Sequence, residues 1–382
     1  MKLWVYHIGS VSFEQENSKR ELKSIGGVSG YIVELIKYSI YKNINVGFIG
    51  KIYNSVPNDI YYYEIQNKPT STNKFLLNLL IKSLFIKLPK DALVHAHRPD
   101  HLAVFSLMRN RKKILTLHGQ QAVTINIRKG RLTRWLYNKL EKSAFKKSQA
   151  IIAVDPVTQR FYQYLYPQFT SKIYYIPTGI DTESFKSLDK SQIRSKYNYS
   201  EKDKIIIYVG RLDEPPKKVS QIIKAFSILA CKDSNYKLII IGDGNAYNNL
   251  QLLTDSFKLN DIIDFWGVRK RNELPELYNM ADISVLYSSN EGSPLSVKES
   301  LACGIPVVAN AVGDIPKIIS HGVNGYIAKD ENAENLSYFL QLAMKNSAEM
   351  KDSCINSIRE YSSDNVYSKI INLYRTILDE SK

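Results

Sequence analysis

Short apolar runs alternate with amphipathic stretches along most of the chain. Runs at 2–8 (KLWVYHI), 45–50 (NVGFIG), 92–95 (ALVH), 114–117, 150–154 (AIIAV) and 173–176 (IYYI) read as strands, with helical periodicity between several of them. The alternation resumes at 205–210 (IIIYVG), 238–244 (LIIIGDG), 263–267 (IDFWG), 283–287 and 306–310, separated by helices near 219–231, 246–257 and 273–280. Strands alternating with helices predict a parallel, doubly wound sheet, and here they predict two of them. The second half repeats this architecture without repeating the sequence. The turn PTGID (177–181) and a polar stretch after it set the expected division: a first domain over 1–185, a linker over 186–203 and a second domain over 204–362. A C-terminal helix over about 363–382 is expected to pack back on the first domain. At 382 residues, each domain can bury a core of its own.

Doubly wound sheets bind ligands beyond the carboxyl ends of their strands, so two such domains facing each other offer a cleft. His97 and His118 fall at strand ends of this kind. Gly26, Gly27 and Gly30 lead into a helix, as a tight turn or as a close approach of backbone to ligand. In the second domain, SSNEGSPLSVKESLACGIPVVA (288–309) reads as loop, helix and strand. Ser293 is the expected N-cap, Pro294 the first helical residue, Gly304 the C′ residue, and Pro306 a stop. Backbone amides from Gly292 to Leu295 then form an anion site, bracketed by Glu291 and Glu299. Two solvated glutamates would explain the same pattern.

Charge adds a contrast between the halves. Residues 1–200 carry 31 Lys and Arg against 13 Asp and Glu, whereas 201–382 carry 21 against 24. The basic first half points to an anionic partner, and no nucleic-acid recognition motif accompanies it. The stretch 74–90 (KFLLNLLIKSLFIKLPK) carries Lys74, Asn78 and Lys82 along an otherwise apolar helix, suited either to core packing or to a membrane interface. Basic side chains cluster again at Arg109 to Lys113 and over 128–147, the latter beside Trp135 and Tyr137. No run is long enough to span a bilayer and the N-terminus lacks a signal-peptide pattern, so a cytoplasmic protein peripheral to the membrane is expected. Cys231, Cys303 and Cys354 suggest neither disulfides nor a metal site.

Nine motifs in order resemble the retaining glycosyltransferases of family 4, which have the GT-B fold. They are IGGVSGYIVEL, VHAHRPD, LTLHG, IIAVDP and IPTGID in the first half, then GRLDEPPKK, IIGDG, the pair Glu291 and Glu299, and ESLACGIPVVA. The resemblance implies transfer of a sugar from a nucleotide sugar, a UDP-sugar or GDP-sugar, to a hydroxyl. It implies that Arg211 and Lys217 hold the donor diphosphate and take up charge on the leaving nucleotide, so that no metal or other cofactor is required. It assigns Glu299 to the ribose, Glu291 to the transferred sugar, and Gly292, Ser293, Pro294 and Leu295 to sugar and phosphate. Gly242, Gly267 and Val268 are placed near the nucleobase, Gly27 near the diphosphate, His118 beside the reacting sugar and His97 on the acceptor side.

There are departures from the family pattern. Lys218 replaces a glycine after the lysine, Thr178 replaces an asparagine, and Lys317 replaces the glutamate of the later Gly-Gly-x-Pro-Glu motif. The last change alters the sugar contacts expected of that loop. The implied function is a metal-independent hexosyltransferase acting on a lipid-linked or membrane-held glycan in bacterial O-antigen or capsule assembly. A GT-B epimerase or phosphorylase, or a non-catalytic partner subunit, are the rival readings.

Overall fold

The computed structural model describes residues 3–12, 27–53, 57–65, 72–108, 111–121, 123, 130–329 and 332–379. The chain divides into two compact units. Among the described residues, one contains those up to Gly179 together with 363–379, and the other contains Ile180–Ser362. The division therefore falls before the expected boundary at 185. The stretch 186–203 lies within the second unit, where the Asp189 side chain accepts from the Gln192 amide and starts a short helix.

In the first unit the order is β1 (Trp4–Ser12), α1 (Gly27–Tyr41), β2 (Asn45–Tyr53), β3 (Ile60–Glu64), α2 (Thr72–Ser83), β4 (Ala92–Ala96), α3 (Pro99–Met108), β5 (Lys112–Leu117), α4 (Arg131–Lys147), β6 (Ala150–Ala153), α5 (Pro156–Leu165) and β7 (Ile173–Tyr175). These strands form one parallel seven-stranded sheet ordered β3-β2-β1-β4-β5-β6-β7. The edge strand β3 has no counterpart in the sequence reading, because IYYYE is half exposed and shows no apolar run. The helix expected over 74–90 ends at Ser83. Phe75 and Leu79 point into the core, while Leu77 and Ile81, two positions on from each, are exposed.

The second unit runs α6 (Lys190–Lys196), β8 (Lys204–Val209), α7 (Val219–Ala230), β9 (Tyr236–Ile241), α8 (Tyr247–Ser256), β10 (Ile263–Gly267), α9 (Leu274–Met280), β11 (Ile283–Leu286), α10 (Leu295–Ala302), β12 (Val307–Asn310), α11 (Ile315–Ile318), β13 (Gly325–Ala328) and α12 (Ala333–Ile358). Its parallel six-stranded sheet is ordered β10-β9-β8-β11-β12-β13. Ile205, Ile206, Ile207 and Tyr208 on β8 are all fully buried, as expected of a strand covered on both faces. The last helix, α13 (Ser363–Asp379), belongs to the first unit, where Tyr367, Ile370, Ile371 and Tyr374 are buried and Tyr38 donates to Asp364.

Candidate functional site

The loop after β8 carries the basic pair expected from the sequence. Arg211 ion-pairs with Asp213 and is half exposed. Lys217 is more enclosed, and its Nζ lies 2.5 Å from Glu291 Oε1, which also accepts from the Ser288 hydroxyl at 2.8 Å. The structure thus joins two residues that lie 74 positions apart. Lys218 adopts a left-handed φ of 41°, the conformation that suits the glycine it replaces and costs about 1–2 kcal/mol in a residue with a side chain. Four residues before it, Glu214 accepts from the Ser220 amide and so caps the start of α7.

Helix α10 differs in detail from the expected design. Its N-cap is Pro294, and helical geometry begins at Leu295. Ser293 is not the cap, because its hydroxyl is committed elsewhere: it donates to Asp314 and accepts from Lys298 Nζ. Lys298 and Asp314 are both fully buried and form an ion pair at 3.3 Å, while the Asp314 amide donates to Gly292 O. Burial pulls the Lys298 ammonium below its ordinary pKa, with Asp314 opposing that shift. Next to this triad, Gly313 has φ of 58°, and a Cβ there would stand 2.1 Å from Gly292 O. Side-chain burial and loop packing together hold the backbone from Gly292 to Pro294 in place. The helix ends as expected, with Gly304 at φ of 79° after the Cys303 cap.

Glu299 is nearly buried, and both of its oxygens have protein partners. Arg271 Nη1 donates to Oε1 at 2.6 Å and the Tyr278 hydroxyl to Oε2 at 3.1 Å. Neither partner was singled out in the sequence; Arg271 sits in RKRNEL, an ordinary charged loop by composition. Gly242 follows β9 and Gly267 ends β10, and the Gly242 amide donates to Gly267 O at 2.9 Å. Val268 follows, half-buried.

Gly27, His97 and His118 lie in the first unit. Gly27 is the first residue of α1, exposed, with open space where a Cβ would stand. One helical turn later, the Tyr31 ring meets His118 edge-on at 4.8 Å. His97 and His118 come together, Nδ1 to Nε2, at 3.4 Å. Two residues that were not singled out, His7 on β1 and His95 on β4, join them, and parallel pairing sets those two side by side. Two clues lay in the sequence: His95 on β4 and His97 just past its end are two residues apart and so share a face, and His7 lies on the neighbouring strand. Desolvation pushes His7 and His118 down to about 3 and His97 well below its usual value, so all three rings are neutral at pH 7.

Both units, each a parallel sheet flanked by helices, define the class of fold as GT-B. Solved structures align over nearly all of this chain. The complex of Anabaena HepE with UDP has a TM-score of 0.73 and 16% identity over 98% of this chain and 100% of that one. WaaG, a glycosyltransferase involved in lipopolysaccharide biosynthesis, has a TM-score of 0.75 and 15% identity over 98% of this chain and 99% of that one. Residues 25–184 match the family model Glycosyltransferase Family 4, and residues 189–361 match the model Glycosyl transferases group 1. These matches and the fold together support a family 4 glycosyltransferase of GT-B type. Among curated relatives, N-acetyl-alpha-D-glucosaminyl L-malate synthase of Bacillus anthracis is 26% identical over 219 residues, covering 57% of this chain and 54% of the relative. The chain spans about half the length of the first such relatives it matches.

Proposed function

We propose that this protein is a retaining glycosyltransferase that moves a hexose from a nucleoside diphosphate sugar, a UDP-sugar or GDP-sugar, to a hydroxyl of a membrane-held glycan, without a metal. The observation that carries this reading is the pairing of Lys217 with Glu291 beside the amides of Gly292 to Leu295. In the proposed reaction the bond from the anomeric carbon to the β-phosphate oxygen breaks. The acceptor oxygen bonds to that carbon on the same face, and its proton passes to the departing phosphate. Negative charge grows on that phosphate, and fixed cations stabilise it more than they stabilise the ground state. Lys217 keeps two ammonium donors beyond the one facing Glu291, and Arg211 keeps guanidinium donors beyond those facing Asp213. Glu299, oriented by Arg271 and Tyr278, retains lone pairs for the ribose hydroxyls, and Glu291 is assigned to the sugar. The UDP held by HepE supports a uridine donor. Gly27 at the diphosphate, His118 at the reacting sugar, and Gly242, Gly267 and Val268 at the base follow from the resemblance. Titration calorimetry with UDP and GDP tests the reading: one of them is expected to bind without added metal and to bind more weakly to Glu299→Gln. Absence of binding to either defeats it.

The membrane part has its own support in the first domain. Leu77, Ile81 and Phe85 on and after α2, and Leu132, Trp135 and Leu136 on α4, are exposed. The two helices both pack on α3. Helix α4 has two Arg and four Lys, and its one acid, Glu141, is buried. Aromatic and apolar side chains among cations suit an anionic headgroup layer, at about 1 kcal/mol per cation near the surface. No helix among the described residues is long and apolar enough to cross a membrane, so attachment is proposed to be peripheral. The lipopolysaccharide role of WaaG supports a lipid-linked acceptor of bacterial O-antigen or capsule assembly. Sedimentation with vesicles is expected to show binding to anionic and not zwitterionic lipid, reduced by Trp135→Ala; equal partitioning counts against it.

A further inference from the structure

Two buried histidines of the first domain, His7 and His97, and the half-buried His118 form a directed chain. His7 Nδ1 lies 3.1 Å from His97 Nε2, and His97 Nδ1 lies 3.4 Å from His118 Nε2. A neutral imidazole has one N–H and one acceptor nitrogen, so only two proton arrangements satisfy both contacts. In the first, His7 donates from Nδ1 to His97, and His97 donates from Nδ1 to His118 Nε2. In the second, His118 donates to His97 and His97 donates to His7, which places the His7 proton on Nε2. That nitrogen is fully buried and has no hydrogen-bond partner among the described residues. The second arrangement therefore strands a buried N–H, whereas the first leaves only an unused lone pair. Orphaned buried donors are the rarer of the two in proteins.

His95 is held apart from this choice. Its Nδ1 pairs with the Tyr374 hydroxyl at 2.6 Å and its Nε2 with Thr116 at 2.7 Å, while its ring stacks on His97 with centroids 4.5 Å apart. His7, His95 and His97 stand close enough together to suggest a metal site, but stacked rings and a doubly bonded His95 make them a packed array.

We propose that His7 and His97 are positioning residues that hold His118 as its Nδ1–H tautomer, with its only lone pair accepting from His97. In this form His118 cannot serve as a general base. It offers the reacting sugar a hydrogen-bond donor, and this consequence alone rests on the function proposed above.

The test is a long-range proton–nitrogen correlation spectrum of the full chain labelled with ¹⁵N-histidine at neutral pH, with His118→Gln identifying the His118 signals. A protonated Nδ1 and an unprotonated Nε2 are expected; an Nε2–H form overturns the proposal. His7→Phe removes the first donor and is expected to mix the His118 tautomers and lower kcat about fivefold, the worth of one hydrogen bond, at unchanged donor KM. His7→Asn, whose amide N–H reproduces the Nδ1 donor, is expected to restore both. A single unchanged tautomer in folded His7→Phe also overturns the proposal. The expected spectrum in a protein that binds neither UDP nor GDP would defeat the transferase reading and leave the tautomer assignment standing.

Discussion

Lys217→Ala is expected to lower turnover by roughly 10²–10³, the usual loss when one group that stabilises transition-state charge is removed. Arg211→Ala is expected to fall in the same range and to sit lower within it. The difference follows from exposure, since the Lys217 side chain is 15% accessible and that of Arg211 is 53% accessible. A cation screened by water contributes less to a developing phosphate charge than one held where water is sparse. Lys217→Ala also strips Glu291 of its counter-ion, so the loss could arise from a misplaced carboxylate alone. The double variant Lys217→Ala/Glu291→Gln separates the two causes. Turnover no lower than in Glu291→Gln alone would assign the effect to the stranded Glu291, and a further loss below that single variant assigns it to the missing cation. Steady-state kinetics with the donor that binds in calorimetry measure this, and near-normal turnover in Lys217→Ala removes the role proposed for it.

A steep loss of stability in mild acid is the second large effect expected. His7, His95, His97 and His101 are no more than 8% exposed, and burial lowers each below its ordinary pKa. Their folded-state values lie beneath the unfolded value of 6.5, so the unfolded chain binds their protons first. The stability this provides is complete above pH 6.5 and is lost as pH falls. Glu141 acts in the opposite sense. Burial raises it to about 7, against the hydrogen bonds from Tyr162 and Tyr166, so the folded state holds a proton that the unfolded chain has released above about pH 4.5. As pH falls below 6.5 the unfolded state therefore binds protons at these histidines that the folded state does not, with Glu141 opposing them by a single proton, and each unmatched proton is worth up to about 1.4 kcal/mol per pH unit against the ~5–15 kcal/mol of a typical domain. Urea midpoints followed by circular dichroism from pH 7.5 down to pH 5 should fall sharply. A flat profile would show that these rings are solvated or charged in the folded state.

The architecture was open to reading because it depends on local periodicity. IIIYV, LIII and PVVA are apolar throughout since strands in a parallel sheet are covered on both faces, and each maps to a strand of the second sheet. Strands with weaker contrast escaped: β3 is IYYYE at an edge, and β13 is GYIA, four residues in GVNGYIAKD. Serine-Pro before an apolar run is a sound N-cap signal, but it failed at Ser293 because Lys298 and Asp314, five and 21 positions away, captured the hydroxyl. The division of the compact units falls before 185, and the stretch expected as a linker packs in the second unit for a related reason. SLDKSQIRSKYNYSEKDK is polar in composition, yet Arg194 is buried in it, donating to Met280 O and to Asp282 some 88 positions away.

By itself, then, the sequence determined two doubly wound sheets and the placement of His97, His118, Lys217, Glu291 and Glu299 next to strand ends or helix starts. Periodicity and turn chemistry act over a few residues, and those placements need nothing longer. Only the tertiary structure decided which of these groups carry protein partners. Lys217 meets Glu291, Arg271 and Tyr278 hold Glu299, and His7 reaches His97 across 90 positions. Such pairings arise from sheet register and from the burial of charged or polar atoms that must be satisfied once desolvated, and no local pattern in the chain encodes them.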